Sequence, residues 1–467
     1  MKKIAVVMLM LLLVFGVVFA QGGKEGAPAA EEKPAEAAAP GEPIEVVYWH
    51  TWGSNNLAYL QDIADKFNAS QSVYHITLEY VGNMNALYSK LQVTDQADRP
   101  ALINSTTETL GSFIYTDYVV PLAEFVADNA PADQPILDAI YPNMVAAWGD
   151  KDGKLYGYPM GNSMTGCLFN MNVMNEVGID PYSMKSVEDF QKIIYTLGES
   201  GKLPGSKVIG FEHTIRFFNY SLAIEGLFVE DQENGRLGVP QVSYYNTGEV
   251  GEIGKKFFKI WKEINDSGYA YTMGTSWGNE LLPAFAQQDI VMLTGTIGGY
   301  GRVERAWNEV HTDPINATFV PWVAVTADGR STGQPASGNG FYIVNNGNLA
   351  QMKGAWEFIK FFGTGDNMAG WCALTGYLPF TDEVLNTKTY QDYKNARPNL
   401  GLDYLMEVQK NDDGKTYHPI SAVYTETSAI GVNKLNAYLN GGDLDQLFVE
   451  YENEMNDALY MWYLTNT

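Results

Sequence analysis

The stretch at residues 148–172, WGDKDGKLYGYPMGNSMTGCLFNMN, decides how this chain is divided. Turn-forming residues at 150–153 lead into Tyr-Gly-Tyr-Pro at 156–159, where proline restricts φ and glycine permits φ values closed to other residues. A small polar run at 161–163 then precedes an apolar, strand-like segment that ends at Asn170. We interpret the stretch as a shaped crossing between two halves of the molecule, and its polar run as facing a ligand.

Strand and helix patterns alternate on the N-terminal side of this crossing. The segment 44–49 is short and apolar, which predicts a buried strand. Apolar residues at helical spacing over 57–67 predict a helix, and 76–80 and 101–104 predict two further strands. This alternation is typical of parallel βαβ units, in which ligands bind at the carboxyl ends of strands. We therefore expect the loops after the first and third strands to lie at one edge of the sheet.

A second α/β pattern follows the crossing. Ser186 and Asp189 resemble a capping box, which predicts the start of a helix. The other predicted elements are a short helix at 281–288, strands at 289–294 and 341–344, and Gly- or Pro-rich segments at 295–301, 333–340 and 376–379. The remainder of the chain has a mostly helical pattern. At 467 residues the chain suits two lobes better than one core.

Composition excludes several classes of function. The formal net charge of −25 argues against nucleic acid or an anionic membrane surface as a partner. GxSxG, HExxH, Walker A and CxxC motifs are missing, and the 5 His have no metal-ligand spacing. We expect no catalytic residues, no metal and no cofactor. A secreted carbohydrate-active enzyme needs only two carboxylates, so that class stays open as an alternative.

The N-terminal segments are expected to lie outside the lobes. Residues 1–20 combine Lys2 and Lys3 with an apolar run and a small-residue cleavage site at Ala20, typical of a signal peptide. An uncleaved anchor is the alternative, although the apolar run is short for a membrane span. Residues 21–43 are rich in Ala, Glu, Pro and Gly, which predicts a disordered linker.

Cysteine usage bears on anchoring and on redox state. The chain has 2 Cys, Cys167 and Cys372, and neither lies at the cleavage site. The thiol that a lipid anchor needs is therefore missing, and we expect a free, exported protein. A disulfide between the two Cys and a pair of buried free thiols both fit the sequence, and the free thiols are slightly favoured.

Short motifs occur in a fixed order over most of the chain. They are YWHTWG at 48–53, DGKLYGYP at 152–159, FNMN at 169–172, VGID at 177–180, AWEFI at 355–359 and TGYLP at 375–379, with Phe285, Met292 and Trp371 between them. Each motif alone has low specificity. Together, behind a signal-like segment, they resemble the extracellular solute-binding proteins of ABC importers, in the maltose- and glycerol-phosphate-type sugar-binding branch.

The resemblance implies a periplasmic-binding-protein type II fold, with two α/β lobes joined by a hinge of several crossings. Lobe I would comprise 44–158 and 341–373, lobe II 161–335 and 378–467, and the crossings would lie near 156–165, 333–341 and 374–379. The implied function is capture of a sugar, oligosaccharide or polyol between the lobes and delivery to an ABC permease in the membrane. We expect a monomer in the periplasm or outside the cell, without enzymatic activity.

Candidate ligand contacts combine aromatic faces with hydrogen-bonding groups, which a sugar needs for its ring and its hydroxyls. They are His50, Trp52 and Asn55 after the first strand, Thr107 and Glu108 after the third, Ser163 at the first crossing, Trp277 and Thr296 in lobe II, Gly338 and Asn339 at the second crossing, and Tyr377 at the third. For each, packing or a solvated surface position is the alternative interpretation.

One branch of the resemblance fits less well. The glutamate that glycerol-phosphate binders place in this region falls at Thr107, with Glu108 one position later. Their late phosphate-binding arginine has no counterpart in 419–429. These departures favour a neutral sugar or polyol, and a glycerol-phosphate ligand remains the alternative.

Overall fold

A computed structural model describes residues 41–212, 214–271, 277–326 and 333–466. The predicted signal segment at 1–20 and most of the predicted linker at 21–43 lie outside these ranges. The strands in chain order are β1 (Ile44–His50), β2 (Tyr74–Tyr80), β3 (Leu102–Thr106), β4 (Tyr158–Pro159), β5 (Thr165–Asn170), β6 (Ile209–Gly210), β7 (Met292–Thr296), β8 (Ala317–Pro321) and β9 (Asn339–Ile343).

The first sheet has five strands in the order β2-β1-β3-β9-β4. β1 is parallel to both β2 and β3, which confirms the predicted βαβ arrangement. β9 is antiparallel to β3, with Asn104 opposite Phe341, and it is also antiparallel to the short β4. The helix Ser54–Ser70 between β1 and β2 buries Leu60, Ile63, Ala64 and Phe67, the apolar face expected from their spacing.

The second sheet has four strands in the order β6-β7-β5-β8. β5 is central, antiparallel to both neighbours, and buried at every residue. This burial agrees with the apolar run Cys167–Phe169 at its centre, because a strand covered on both faces has no polar alternation. β6 is parallel to β7, with Ile209 opposite Met292.

Helices cover both sheets. The helix Val187–Glu199 begins at Ser186, whose Oγ accepts a hydrogen bond from the Asp189 backbone N–H at 3.0 Å, so the predicted cap is confirmed. The helices are Ser54–Ser70, Met84–Val93, Gly111–Ile114, Leu122–Asn129, Gln134–Asp138, Pro142–Trp148, Met171–Val177, Val187–Glu199, Arg216–Ile224, Gly248–Asp266, Leu282–Ala286, Tyr300–Val310, Leu349–Gly363, Gly365–Thr375, Asp382–Leu385, Lys388–Asn395, Leu402–Asn411, Tyr424–Leu439 and Leu444–Asn466.

Two hydrophobic clusters form the core. Trp148, Trp356 and Trp371 belong to the cluster that contains the first sheet, whereas Trp261 and Trp322 belong to the other. The two cysteines are divided in the same way, Cys372 in the first cluster and Cys167 in the second. Both thiols are free and buried, so the disulfide alternative is wrong. Its physical reason is this separation into different clusters.

The chain passes from the first sheet to the second and back again. It leaves the first sheet at β4 and enters the second at β5, and it returns from β8 to β9. We call the part built on the first sheet lobe I and the part built on the second sheet lobe II. The C-terminal helices Tyr424–Leu439 and Leu444–Asn466 pack on Gly248–Asp266 of lobe II. The exact lobe boundaries given above remain a prediction.

The crossing segments are hydrogen bonded to one another. Asn162 and Leu378 exchange two backbone hydrogen bonds of 2.9 Å each, and the Ser163 N–H donates to the Ser337 carbonyl at 2.7 Å. Gly161 has a φ of 107°, and a Cβ there would lie 2.8 Å from the Cβ of Tyr377. Glycine is therefore required where the first segment approaches the third. We call this meeting point the junction.

None of the helices in the described ranges combines the length and the apolar character that a membrane span requires.

Candidate functional site

The junction brings six of the predicted ligand contacts together. The hydroxyls of Ser163 and Thr296 are 2.8 Å apart, and the Asn339 amide donates to the Tyr377 hydroxyl at 3.4 Å. The side-chain Oδ1 of Asn339 accepts a 2.8 Å hydrogen bond from the side-chain amide of Asn104, and the backbone carbonyl of Gly338 accepts one from the Thr107 N–H at 3.1 Å. Residues from both sheets and from the crossings therefore form one polar network.

Tyr377 is packed tightly in this network. Its side chain is 6 % exposed, and burial raises the pKa of its hydroxyl. A Cβ at Gly298 would lie 1.9 Å from Cε1 of the Tyr377 ring and 2.4 Å from Oγ of Ser163. The bare backbone at Gly298 is therefore what allows the ring to lie against lobe II.

The residues after β1 are placed differently from one another. His50 is buried, its Nδ1 accepts a hydrogen bond from the Trp52 N–H at 3.2 Å, and burial lowers its pKa. Trp52 is half-buried and meets Trp371 edge-on, with ring centroids 4.8 Å apart. Asn55 is exposed in the first turn of the helix Ser54–Ser70.

Trp277 lies against the backbone that follows β7. Its indole N–H donates to the Thr294 carbonyl at 3.0 Å, and a Cβ at Gly299 would lie 2.8 Å from the ring. The guanidinium of Arg302 lies over the ring at 5.0 Å from the centroid. Arg302 thus occupies one side of a ring predicted to stack on ligand.

A cavity of about 390 Å³ lies between the lobes. Lobe I contributes the helix Met84–Val93 and the end of β3, and lobe II contributes Arg216 and the start of the helix Tyr424–Leu439. The lining residues are Met84, Asn85, Tyr88, Ser89, Gln92, Thr106, Glu108, Thr109, Ser112, Arg216, Ala422, Val423, Tyr424, Thr425, Glu426 and Trp462. Among the predicted contacts in the described ranges, Glu108 alone is part of this lining.

An ion pair joins the lobes at the wall of this cavity. Nε of Arg216 lies 3.2 Å from Oε1 of Glu108, and Nη1 of Arg216 lies 3.7 Å from Oε2 of Glu212. The Tyr220 hydroxyl donates to Glu108 at 3.2 Å, and the Thr107 hydroxyl donates to it at 3.3 Å. Burial is the largest influence on the pKa of Glu108 and acts to raise it, but the Arg216 charge and further electrostatic and hydrogen-bond contributions together outweigh burial, so the pKa lies below its usual value.

Sequence reasoning missed most of the cavity wall. Arg216 begins a helix whose following residues, 217–224, are all buried, so its pattern resembles a core helix. Tyr88 and Trp462 lie on amphipathic helices, where an aromatic residue normally indicates packing. Chain position is the one signal available in the sequence: Tyr424 falls inside 419–429, the segment in which glycerol-phosphate binders place their late phosphate-binding arginine.

Comparison with known proteins establishes the family. Residues 62–398 match the family described as bacterial extracellular solute-binding protein, and the chain belongs to that family. Among sequence relatives, the sn-glycerol-3-phosphate-binding periplasmic protein UgpB of Yersinia pestis is 22% identical over 360 residues, which are 76% of this chain and 78% of the relative.

Solved structures share the fold at low sequence identity. The cyclic alpha-maltosyl-1,6-maltose binding protein of Arthrobacter globiformis is 20% identical, with a TM-score of 0.65 over 89% of this chain and 99% of that one. A solute-binding protein of Agrobacterium radiobacter K84 in complex with ribitol is 16% identical, with a TM-score of 0.70 over 90% and 100% of the two chains. UgpB of Mycobacterium tuberculosis in complex with glycerophosphocholine is 15% identical, with a TM-score of 0.67 over 90% and 99%. The predicted type II periplasmic-binding-protein fold is confirmed.

Proposed function

We propose that this protein captures a neutral sugar or polyol between its lobes, outside the cytoplasm, and delivers it to the permease of an ABC importer. The observation that carries the proposal is the interlobe cavity, whose wall combines aromatic rings with hydrogen-bonding side chains. A sugar presents an apolar ring face and a set of hydroxyls, so it needs both kinds of group. Tyr88, Tyr424 and Trp462 supply rings, and Asn85, Ser89, Gln92 and Thr109 are among the side chains that supply donors and acceptors.

Cavity size argues for a small ligand. Small-molecule pockets span roughly 300–1,000 Å³, and about 390 Å³ lies in the lower part of that range. A monosaccharide, a disaccharide or a polyol suits this volume better than a long oligosaccharide. The structural relatives named for maltose derivatives and ribitol are consistent with that class.

Charge in the cavity argues against a phosphate ligand. Among the described residues of the lining, Arg216 is the one cationic side chain, and its guanidinium already lies between Glu108 and Glu212. A phosphate entering there would have to compete with two carboxylates for one guanidinium. The second candidate function, binding of a glycerol phosphate, is favoured by the names of the sequence relatives.

The junction is proposed as a second wall of the ligand site. Ser163, Thr296, Asn339 and Tyr377 hold polar groups that are now paired with one another, and hydroxyl and amide partners of this kind are able to exchange for ligand hydroxyls. His50, Trp52, Asn55, Thr107, Trp277 and Gly338 surround these two walls in the proposal. The protein is further proposed to act as a monomer without a cofactor and without catalysis.

A thermal unfolding screen tests the ligand class. Maltose, ribitol, glycerol 3-phosphate and glycerophosphocholine are added separately, because a ligand that binds the folded state raises the unfolding midpoint. We expect a rise with at least one of the neutral compounds and none with glycerol 3-phosphate. If only glycerol 3-phosphate or glycerophosphocholine raised the unfolding midpoint, the protein would be a glycerol-phosphate binder and the sugar proposal would be wrong. If no compound raised the midpoint but the protein hydrolysed glycosides, it would be an enzyme.

Glu108→Gln tests the charge argument by calorimetric titration. The change removes a charged acceptor for ligand hydroxyls and leaves Arg216 with one carboxylate. We expect at least about tenfold weaker binding of the neutral ligand, equivalent to about 1.4 kcal/mol, together with measurable binding of glycerol 3-phosphate. The control Glu309→Gln alters an exposed glutamate of the helix Tyr300–Val310 and should leave both affinities unchanged.

A further inference from the structure

The lobes also contact each other at a surface that belongs neither to the junction nor to the lining of the cavity between the lobes. On the lobe II side it consists of the turn Asp231–Gly235 and the following Arg236. On the lobe I side it consists of Tyr115 and the C-terminal end of the helix Pro142–Trp148. We call these residues the latch.

The lobe II side of the latch has an unusual backbone. Gln232, Glu233 and Asn234 have φ values of 55°, 52° and 58°, which is left-handed conformation that L-residues adopt reluctantly. Oδ1 of Asn234 accepts hydrogen bonds from the N–H groups of Val229 at 2.7 Å and Glu230 at 3.0 Å, and its amide donates to the Tyr417 carbonyl at 2.7 Å. A turn of this kind persists only when its surroundings hold it, and its effect is to aim Arg236 at lobe I.

Arg236 is a buried cation whose hydrogen-bond acceptors lie in lobe I. Its side chain is 4 % exposed, and Nη1 donates to the carbonyls of Ala146 at 3.0 Å and Gly149 at 3.4 Å. These carbonyls end a helix, where the backbone dipoles favour a positive charge. Within the described ranges no carboxylate lies at ion-pair distance from Arg236.

Two further contacts fasten the same surface. The Tyr115 hydroxyl of lobe I donates to the carbonyls of Gly235 and, at 2.6 Å, Gly238. A Cβ at Gly111 would lie 1.9 Å from the Ile420 carbonyl oxygen, so the backbones of the two lobes touch directly beside the latch. The two lobes are therefore closely packed and hydrogen bonded to each other at the latch.

We propose that Arg236 is a positioning residue for ligand capture: by binding the end of the helix Pro142–Trp148, it raises the population of closed molecules without touching ligand. Arg236 is not part of the lining of the large cavity. The apparent affinity of a two-lobe binding protein is the intrinsic affinity of its binding-competent state multiplied by the fraction of molecules in that state. Loss of the latch lowers this fraction and therefore weakens ligand binding, although Arg236 does not contact the ligand. The effect of Arg236 on ligand affinity rests on the proposed function, whereas its effect on the closed population does not.

The test measures the distance between the lobes first without ligand. Spin labels are attached to Asp65→Cys in lobe I and Lys192→Cys in lobe II, both exposed positions, while the buried native Cys167 and Cys372 stay unlabelled. Arg236→Met keeps an apolar stem of similar length but removes the charge and the donors. Arg99→Met is the control, because Arg99 contacts Thr94 and Tyr118 within its own lobe.

We expect Arg236→Met to lower the ratio of closed to open molecules at least tenfold, and Tyr115→Phe to lower it less. The control should match the unsubstituted protein, and the urea midpoints of all four should agree closely. Equal distance distributions for Arg236→Met and the unsubstituted protein would overturn the proposal. It would also be overturned if the unsubstituted protein showed no closed population.

The same proteins are then titrated with maltose and with ribitol. If the Kd of Arg236→Met rises tenfold while the distance between the labels in the ligand-bound, closed protein is unchanged, the latch also contributes to ligand capture. An unchanged Kd overturns that role. If neither compound binds the unsubstituted protein although the latch controls the distance distribution, the sugar proposal fails while the latch stands.

Discussion

Two buried titratable groups should oppose each other in the pH dependence of stability. Burial, followed by the charge of Asp231, raises the pKa of Glu230 from 4.5 to about 8. Burial, followed by the charge of Arg236, lowers the pKa of His418 from 6.5 to about 3. Oε2 of Glu230 and Nε2 of His418 have no hydrogen-bond partner among the described residues. Burial in both cases disfavours the charged form.

The signs of the two contributions follow from proton binding. Folded Glu230 keeps a proton that the unfolded chain releases near pH 4.5, so its contribution is complete below that pH and is lost as pH rises through about 8. His418 stays neutral in the folded protein at pH values where the unfolded chain binds a proton, that is, below about pH 6.5. Stability is therefore lost as the pH falls from 6.5 to about 3. From pH 5 to pH 7, linkage gives a loss of about 2.5 kcal/mol from Glu230 and a gain of about 2 kcal/mol from His418.

Single substitutions should separate these opposing effects. In Glu230→Gln, the free energy of unfolding relative to the unsubstituted protein should increase by about 2.5 kcal/mol between pH 5 and pH 7. In His418→Gln, the same difference should fall by about 2 kcal/mol. Urea unfolding followed by circular dichroism at pH 5, 6 and 7 without ligand measures both, because effects of all other groups cancel in the comparison. The exposed Glu309→Gln is the control. Parallel pH profiles for the three proteins would refute the assignment of these protonation states.

Further predictions concern packing, the cavity wall and the thiols. Gly298→Ala places a methyl group 1.9 Å from Cε1 of Tyr377 and should destabilise the fold by about 1–3 kcal/mol in urea unfolding, whereas Gly53→Ala, with open space around its Cβ, should be neutral. Trp462→Ala should weaken sugar binding at least about tenfold in a calorimetric titration if its ring stacks on ligand. Tyr460→Ala, on the same helix but 57 % exposed, should leave affinity unchanged. Cys167 and Cys372 are fully buried and burial raises the pKa of both thiols, so Ellman's reagent should detect no thiol in the native protein and both after denaturation; fast native labelling would contradict this burial.

Strands, helices and caps could be predicted from the sequence where they depend on local patterns. The apolar run that forms β1, the helical face at Leu60 and Phe67, and the cap at Ser186 each depend on neighbours close in the chain. Boundaries were less readable. The strand predicted at 289–294 begins instead at Met292, because Gln288 adopts a φ of 62° and the Asp289 N–H closes the preceding helix on the Ala284 carbonyl at 2.8 Å.

Pairings between distant residues could not be predicted. The position of β9 between β3 and β4 depends on which strand edges remain free, and no local pattern encodes that. Glu108 was identified because it follows a strand, but its partners Arg216 and Tyr220 come from a helix that the sequence indicates only as buried. The junction lies between these cases, because glycine and proline marked the crossings, whereas their hydrogen bonds to one another became visible only in three dimensions.

The insertion of β9 into the first sheet has a consequence for biosynthesis. Until Asn339–Ile343 has been made, β3 has an unpaired edge, and such edges promote aggregation. A chain that grows from its N-terminus therefore completes the second sheet before it is able to complete the first. Neither lobe corresponds to one continuous piece of sequence, so cutting the chain into linear halves would separate strands that belong together. Late pairing of strands that are distant in the sequence slows folding.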